Sequence, residues 1–162
     1  MAVVHPDLPR SAARVAAAAD DLGLAIEVRA FPDGTRTAED AARAVGCAVG
    51  QIVKSLVFVA GDRPVLALVS GDNRLDERKL EALSGSGAVR RASADEVREA
   101  TSYAVGGVPP FGHPSPIPTW IDHDLLAFDE VWVAAGTPHH VFALAPGALL
   151  EATGADPADL KV

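Results

Sequence analysis

Apolar positions change their spacing several times along the chain, and each change marks an element. Residues 10–22 (RSAARVAAAADDL) are alanine-rich with a helical bias, and Gly23 follows as a stop, so the first element is a helix. Residues 25–31 (AIEVRAF) alternate like a short strand and end at the turn signal Pro32-Asp33-Gly34. Thr37, with Asp40 three residues later, caps a second helix whose apolar stripe is Ala41, Ala42 and Val45 and whose end is Gly46. Residues 50–71 (GQIVKSLVFVAGDRPVLALVSG) read as a hairpin turning at Gly61-Asp62. Residues 75–83 form a helix with Asp76 as its cap, residues 88–92 a short strand, and Ser93 with Glu96 opens a helix to about Thr101. Strands over residues 130–135 and 141–144 and a helix from about Pro146 to Thr153 complete the pattern. Strands and helices alternate without a break in composition, which predicts one α/β domain spanning residues 1–162, with a mixed sheet flanked by helices.

Two places break this pattern. In the hairpin's first strand, Ile52, Lys54, Leu56 and Phe58 share one face while Val53, Ser55, Val57 and Val59 share the other. A lysine in an apolar row must either reach the rim of the sheet with its stem packed on Leu56, or sit partly desolvated near an anion. The second break is residues 103–118, which carry a glycine pair and five prolines with no period. Its glycines let backbone N–H groups approach a ligand and its prolines stiffen the chain. Gly106, Gly107, Pro110 and Gly112 could thus form a rigid cradle for a carbonyl or phosphate oxygen, or simply a tight crossover.

Composition narrows the classes. The chain has 162 residues, 49% of them hydrophobic, with a net charge of −8. That is enough to build a sizeable core, and the charge argues against a broad nucleic-acid face while leaving room for a small contact with a nucleic-acid end. No apolar run is long enough to span a membrane and the start lacks the layout of a secretory signal, so the cytoplasm is the expected compartment. The single cysteine, Cys47, reads as a small apolar filler. The histidines His5, His113, His123, His139 and His140 show no metal-ligand spacing, so no metal or cofactor is expected. Asp122-His123-Asp124 and Ser70-Gly71-Asp72-Asn73 read as polar turns, and no GxSxG elbow is present.

Taken in order, GQIVKSLVF, LDERKL, TSYAVGGVPPFGH and VWVAAGTPHHVFALAP resemble the YbaK/prolyl-tRNA-synthetase-associated family, over nearly the whole chain. FPDGTRTAEDAA, residues 31–42, is similar to a segment of one branch of that family. The resemblance implies a compact α/β domain that hydrolyses mischarged aminoacyl-tRNA in trans, without a metal and with the substrate's own ribose hydroxyl and a bound water in place of a protein nucleophile. It implies that Lys54 anchors the aminoacyl-adenosine end, that the Gly106 backbone lines the reacting carbonyl, and that Gly107, Pro110 and Gly112 belong to the binding loop. Ser55 falls in the same motif as Lys54, Phe31 is placed as a wall of the side-chain pocket, and Thr137 and His139 lie in this chain's version of the last loop. An aminoacyl-tRNA synthetase is the partner the resemblance suggests; membrane and DNA are not expected. Two positions depart from the family pattern: Ser102 stands where TGY has glycine, and Val141 where some members carry an acidic residue. The rival expectation is a non-catalytic module binding aminoacyl-tRNA or a synthetase through the same pocket.

Overall fold

The computed structural model describes residues 7–32 and 35–162. His5 and the Asp33-Gly34 part of the expected turn lie outside the described residues. Helix α1 (Arg10–Asp21) precedes β1 (Arg29–Ala30), α2 (Ala38–Val45), the hairpin β2 (Val53–Ala60) and β3 (Arg63–Ser70), α3 (Glu77–Ser84), β4 (Val89–Arg91) and α4 (Ala94–Thr101). After the proline-rich loop come β5 (Thr119–Asp122), β6 (Val131–Ala134), β7 (His140–Leu144), α5 (Pro146–Thr153) and β8 (Asp156–Ala158). Single 3-10 turns occupy Val49–Gln51 and His123–Ala127.

Local chemistry sets the helix ends where the sequence puts them. Thr37 and Asp40 form a reciprocal capping box on α2, as do Ser93 and Glu96 on α4, and the Asp76 side chain accepts from the Arg78 N–H at the start of α3. Helix α4 closes on Ser102 at φ 68°, a left-handed position that α2, α3 and α5 fill with Gly46, Gly85 and Gly154. The departure from the family's glycine thus falls at the one non-glycine residue with positive φ among those described.

The larger sheet has the order β4-β2-β3-β5-β8 and is mixed, with β2 antiparallel to β3 and β4, and β5 parallel to β3 and β8. A second, antiparallel sheet, β1-β7-β6, was not separated from it by the sequence pattern. Among the described residues the two are joined by a bridge between Ile52 and Trp132. The larger sheet is covered on both faces: Val53, Val57, Leu66 and Leu68 join the main core, while Phe58, Val65 and Ala60 pack with Leu80 of α3. Double coverage explains why β2 and β3 read as continuous apolar runs.

The strand expected over residues 25–31 shrinks to Arg29–Ala30. Its alternation is real, since Ile26 is buried and Val28 packs on the main core, but only Arg29 and Ala30 find a partner, on β7. The segment is half-buried coil because no neighbouring strand lies alongside it. No helix among the described residues is long and apolar enough to cross a membrane.

Candidate active site

Among the described residues, the β2 edge away from β3 is paired at two places, one of them through Ile52 just before the strand. Phe58, Val59 and Ala60 meet β4, and Ile52 meets Trp132, so the strand edge between them is left open. A cavity of about 580 Å³ fills this gap. Because it wraps an open edge, side chains from both faces of β2 reach it, and Lys54 and Ser55 line it together. Phe31, Gly106, Thr137 and His139 complete the group of predicted residues in its wall, with Ala41, Trp132 and Val141 supplying apolar surface.

Lys54 sits where the cover over its face changes. Ile52 before it packs with α2 and Trp132, Leu56 and Phe58 after it pack with α3, and Lys54 falls between the two clusters, half-buried. Its ammonium donates to the Asn73 carbonyl. Burial pushes it below the ordinary lysine range, against the pull of Glu39, Asp122 and Asp72, while Arg91 adds to the depression. Lys54 is thus partly desolvated, but the group that receives its ammonium is a carbonyl rather than an anion.

The carbonyl that receives the ammonium is itself braced. The Asn73 side-chain amide donates to Asp122 at 2.7 Å and to Asp124 at 2.9 Å, and Asp122, 1% exposed, also accepts from the Ser70 N–H at 3.1 Å. Ser70-Gly71-Asp72-Asn73 is a turn at the end of β3, whereas Asp122 ends β5 and His123-Asp124 open a 3-10 helix, and together they form a partly buried polar network ending on Lys54. No local signal could reveal this, because the partners lie 49 and 52 residues apart in the chain.

Gly106 has φ 86°, and its N–H has no hydrogen-bond partner among the described residues. It is therefore an available donor on the cavity wall. Gly107 does not line the cavity; a Cβ there would stand 2.6 Å from Thr137 Cα, and its carbonyl accepts from the Gly136 N–H at 2.9 Å. It locks the proline-rich loop against the β6–β7 loop and so sets where Gly106 and Thr137 stand. Pro110 and Gly112 are not brought to the cavity either: they border a separate surface depression with His113, and Gly112 faces Ala18 of α1. The loop between β6 and β7 is held by Thr137, whose hydroxyl meets His140 Nδ1 at 2.6 Å and accepts from the His139 N–H at 3.1 Å. The His139 carbonyl accepts from the Phe31 N–H at 2.7 Å, which ties that ring to the same loop.

Ser55 Oγ is buried without a hydrogen-bond partner among the described residues. Beside it lies a second void of about 30 Å³, bordered by Ser55, Val97, Val105, Gly106 and Val108, room for about one water. A buried hydroxyl left unsatisfied costs stability. Cys47 is half-buried with its thiol pushed up, chiefly by burial, and donates to the Ala48 carbonyl, so it is not an activated nucleophile. Among the described residues no group of three or more His, Cys, Asp or Glu side chains could hold a metal ion.

Comparison with known proteins places this geometry in a family. The model of the aminoacyl-tRNA editing domain matches residues 32–152. A solved structure described as a candidate trans-editing enzyme for prolyl tRNA synthetase superposes with a TM-score of 0.92 at 51% identity, over 96% of this chain and 99% of that one. EbsC of Enterococcus faecalis, named as a candidate Cys-tRNA(Pro)/Cys-tRNA(Cys) deacylase, is 30% identical over 81% of this chain and 80% of its own length. The proline–tRNA ligase of Heliobacterium modesticaldum is 32% identical over 76% of this chain, which spans 21% of that larger protein.

Proposed function

The chain belongs to the aminoacyl-tRNA editing domain family, and on that premise we propose that it is a deacylase that hydrolyses a mischarged aminoacyl-tRNA carrying a small amino acid, acting in trans in the cytoplasm. The observation that carries the reading is the cavity at the open edge of β2, whose lining residues include a partly desolvated lysine, a glycine whose N–H has no partner among the described residues, and Ser55.

In this reading the terminal adenosine enters the cavity and Lys54 anchors it through the ammonium protons not committed to Asn73. The Gly106 N–H faces the reacting carbonyl. Water adds to the ester carbon, the carbonyl oxygen takes up negative charge, and Gly106 and Lys54 stabilise it. Collapse breaks the bond from the carbonyl carbon to the ribose oxygen. That oxygen takes a proton originating from the water, and the amino acid leaves as its carboxylic acid, ionising in solution. An aminoacyl ester is already activated, so positioning and oxyanion stabilisation supply much of the acceleration and no protein nucleophile is required. The apolar wall of Ala41, Trp132 and Val141, with Phe31 packed against the same cluster, suits a small side chain without charge. Val141 supplies no carboxylate to a polar side chain, so the cysteine preference in the name of EbsC is not carried over. A synthetase would supply affinity for the body of the tRNA.

The test is a deacylation panel of alanyl-, cysteinyl-, seryl- and prolyl-tRNA with wild type and Lys54→Ala. Cleavage of one small mischarged ester by wild type alone is the expected result. Retention of charged tRNA with no cleavage by wild type would make the cavity a binding site and overturn the enzymatic reading.

A further inference from the structure

Lys54, Leu56 and Arg91 are shared between the active-site cavity and a second trough of about 300 Å³, which continues along the same face of β2 past Phe58 to Arg74 and Glu77. Three cations and one carboxylate line it, the reverse of the balance of a chain with net charge −8.

The two arginines of β4 behave differently. Arg90 donates to both carboxylate oxygens of Glu96, at 2.7 and 2.8 Å. Arg91 stands opposite Phe58 in the β2–β4 register, on the Lys54 side, and its guanidinium has no hydrogen bond or ion pair among the described residues. Arg74 lends only its backbone carbonyl, to the Val162 N–H at 2.9 Å; its guanidinium too has no ion pair among the described residues. Arg91 is near enough to disfavour the charge on Lys54. Two arginines without an ion pair among the described residues, lining one trough with a lysine, make an arrangement that a bound anion relieves.

We infer that this trough is a subsite for the phosphodiester backbone of an RNA 3′ end, receiving the phosphates immediately 5′ of the terminal adenosine through Arg91 and Arg74. The inference rests on the function proposed above, which seats that adenosine in the adjoining cavity. It assigns the trough to backbone contacts that position the strand and carry no sequence information. It also reconciles an acidic protein with a polyanionic ligand, since only the last few nucleotides meet the protein.

Binding, read without chemistry, separates the two ideas. A fluorescent RNA hairpin with a single-stranded 3′ tail is titrated against wild type, Arg74→Gln, Arg91→Gln and the exposed control Arg63→Gln over a range of salt. Arg74→Gln and Arg91→Gln should each weaken binding about tenfold and reduce the slope of log affinity against log salt by roughly 0.7, the value for one lost contact to a single strand. Arg63→Gln should match wild type. The trough is overturned if both variants bind the hairpin as wild type does, or lose as much affinity for an aminoacyl-adenosine ester without any phosphodiester as for the hairpin. Weakened hairpin binding in a protein that cleaves no ester would sustain the trough while sinking the deacylase.

Discussion

The Asn73 amide donates to the buried Asp122 carboxylate at 2.7 Å, and the carbonyl of the same asparagine receives the Lys54 ammonium. The lysine proposed to anchor the substrate is therefore aimed by a residue outside the cavity, which is itself held by the end of a parallel strand. Asn73 and Asp122 are positioning residues, and their removal should be felt at the reacting ester.

Asn73→Ala should lower kcat roughly tenfold to a hundredfold, because a misaimed group costs rate steeply. Asp122→Asn tests the electrostatic half. Burial already holds Lys54 below the ordinary range and Asp122 opposes that depression, so neutralising the carboxylate lowers the lysine further. The alkaline limb of the pH–rate profile should then move to lower pH. A profile that only loses height would assign Asp122 a structural role alone.

Gly107 should be intolerant of any side chain. A Cβ would stand 2.6 Å from Thr137 Cα and 2.8 Å from its backbone nitrogen, and neither of those backbone atoms can swing aside. Gly107→Ala should cost about 1–3 kcal/mol in chemical denaturation, as overpacking does. Gly147→Ala, in α5 with nothing within 4 Å, should be neutral or stabilising by about 0.5–1 kcal/mol.

Ser102 occupies a left-handed position at φ 68° where the family pattern has glycine. A side chain there costs about 1–2 kcal/mol. Ser102→Gly should recover about 1 kcal/mol of it, less what the more flexible unfolded chain gains, and should raise Tm without changing deacylation.

Glu96 is pushed down to about 2 from an ordinary 4.5, first by the Arg90 side chain and then by the Ser93 N–H. A carboxylate whose folded value lies below its unfolded one contributes stability above about pH 4.5 that disappears as pH falls toward 2. The Tm of wild type should therefore drop more steeply than that of Glu96→Gln across this window. Parallel curves would mean the pair contributes nothing to acid resistance.

Local chemistry is what a sequence displays, and the legible parts of this fold are local. Both capping boxes, the Gly61-Asp62 turn and the ends of α5 follow from residues a few positions apart. The cavity's position is not of this kind. It depends on β2 losing its neighbour between Ile52 and Phe58, and that gap is created by where β4 and β6 stop, far away in the chain. For the same reason the proline-rich loop could be recognised as unusual while its division of labour could not. Gly106 reaches the cavity, Gly107 clamps Thr137, Gly112 faces α1 and Pro110 borders a separate surface depression, although all four lie within seven residues. Lys54 is conspicuous because a cation in an apolar row violates a strong rule, whereas Asn73, in a turn, and Asp122, at a strand end, violate none.

Ser55 offers the sharpest separation of stability from function. Its hydroxyl is buried with no partner among the described residues, next to a void with room for one water and to the free Gly106 N–H. Were Ser55 there for the fold through its hydroxyl, replacing it would lose a hydrogen bond; among the described residues none exists to lose. Ser55→Ala should leave stability unchanged or raise it by up to about 1 kcal/mol, since an unsatisfied hydroxyl is removed. If that hydroxyl orders the attacking water or the substrate in the cavity, the same variant should lose kcat roughly tenfold or more, and Ser55→Thr, which keeps the hydroxyl, should recover part of the loss. Unchanged turnover in a more stable Ser55→Ala protein would remove Ser55 from the site and leave Lys54 and Gly106 to account for the chemistry.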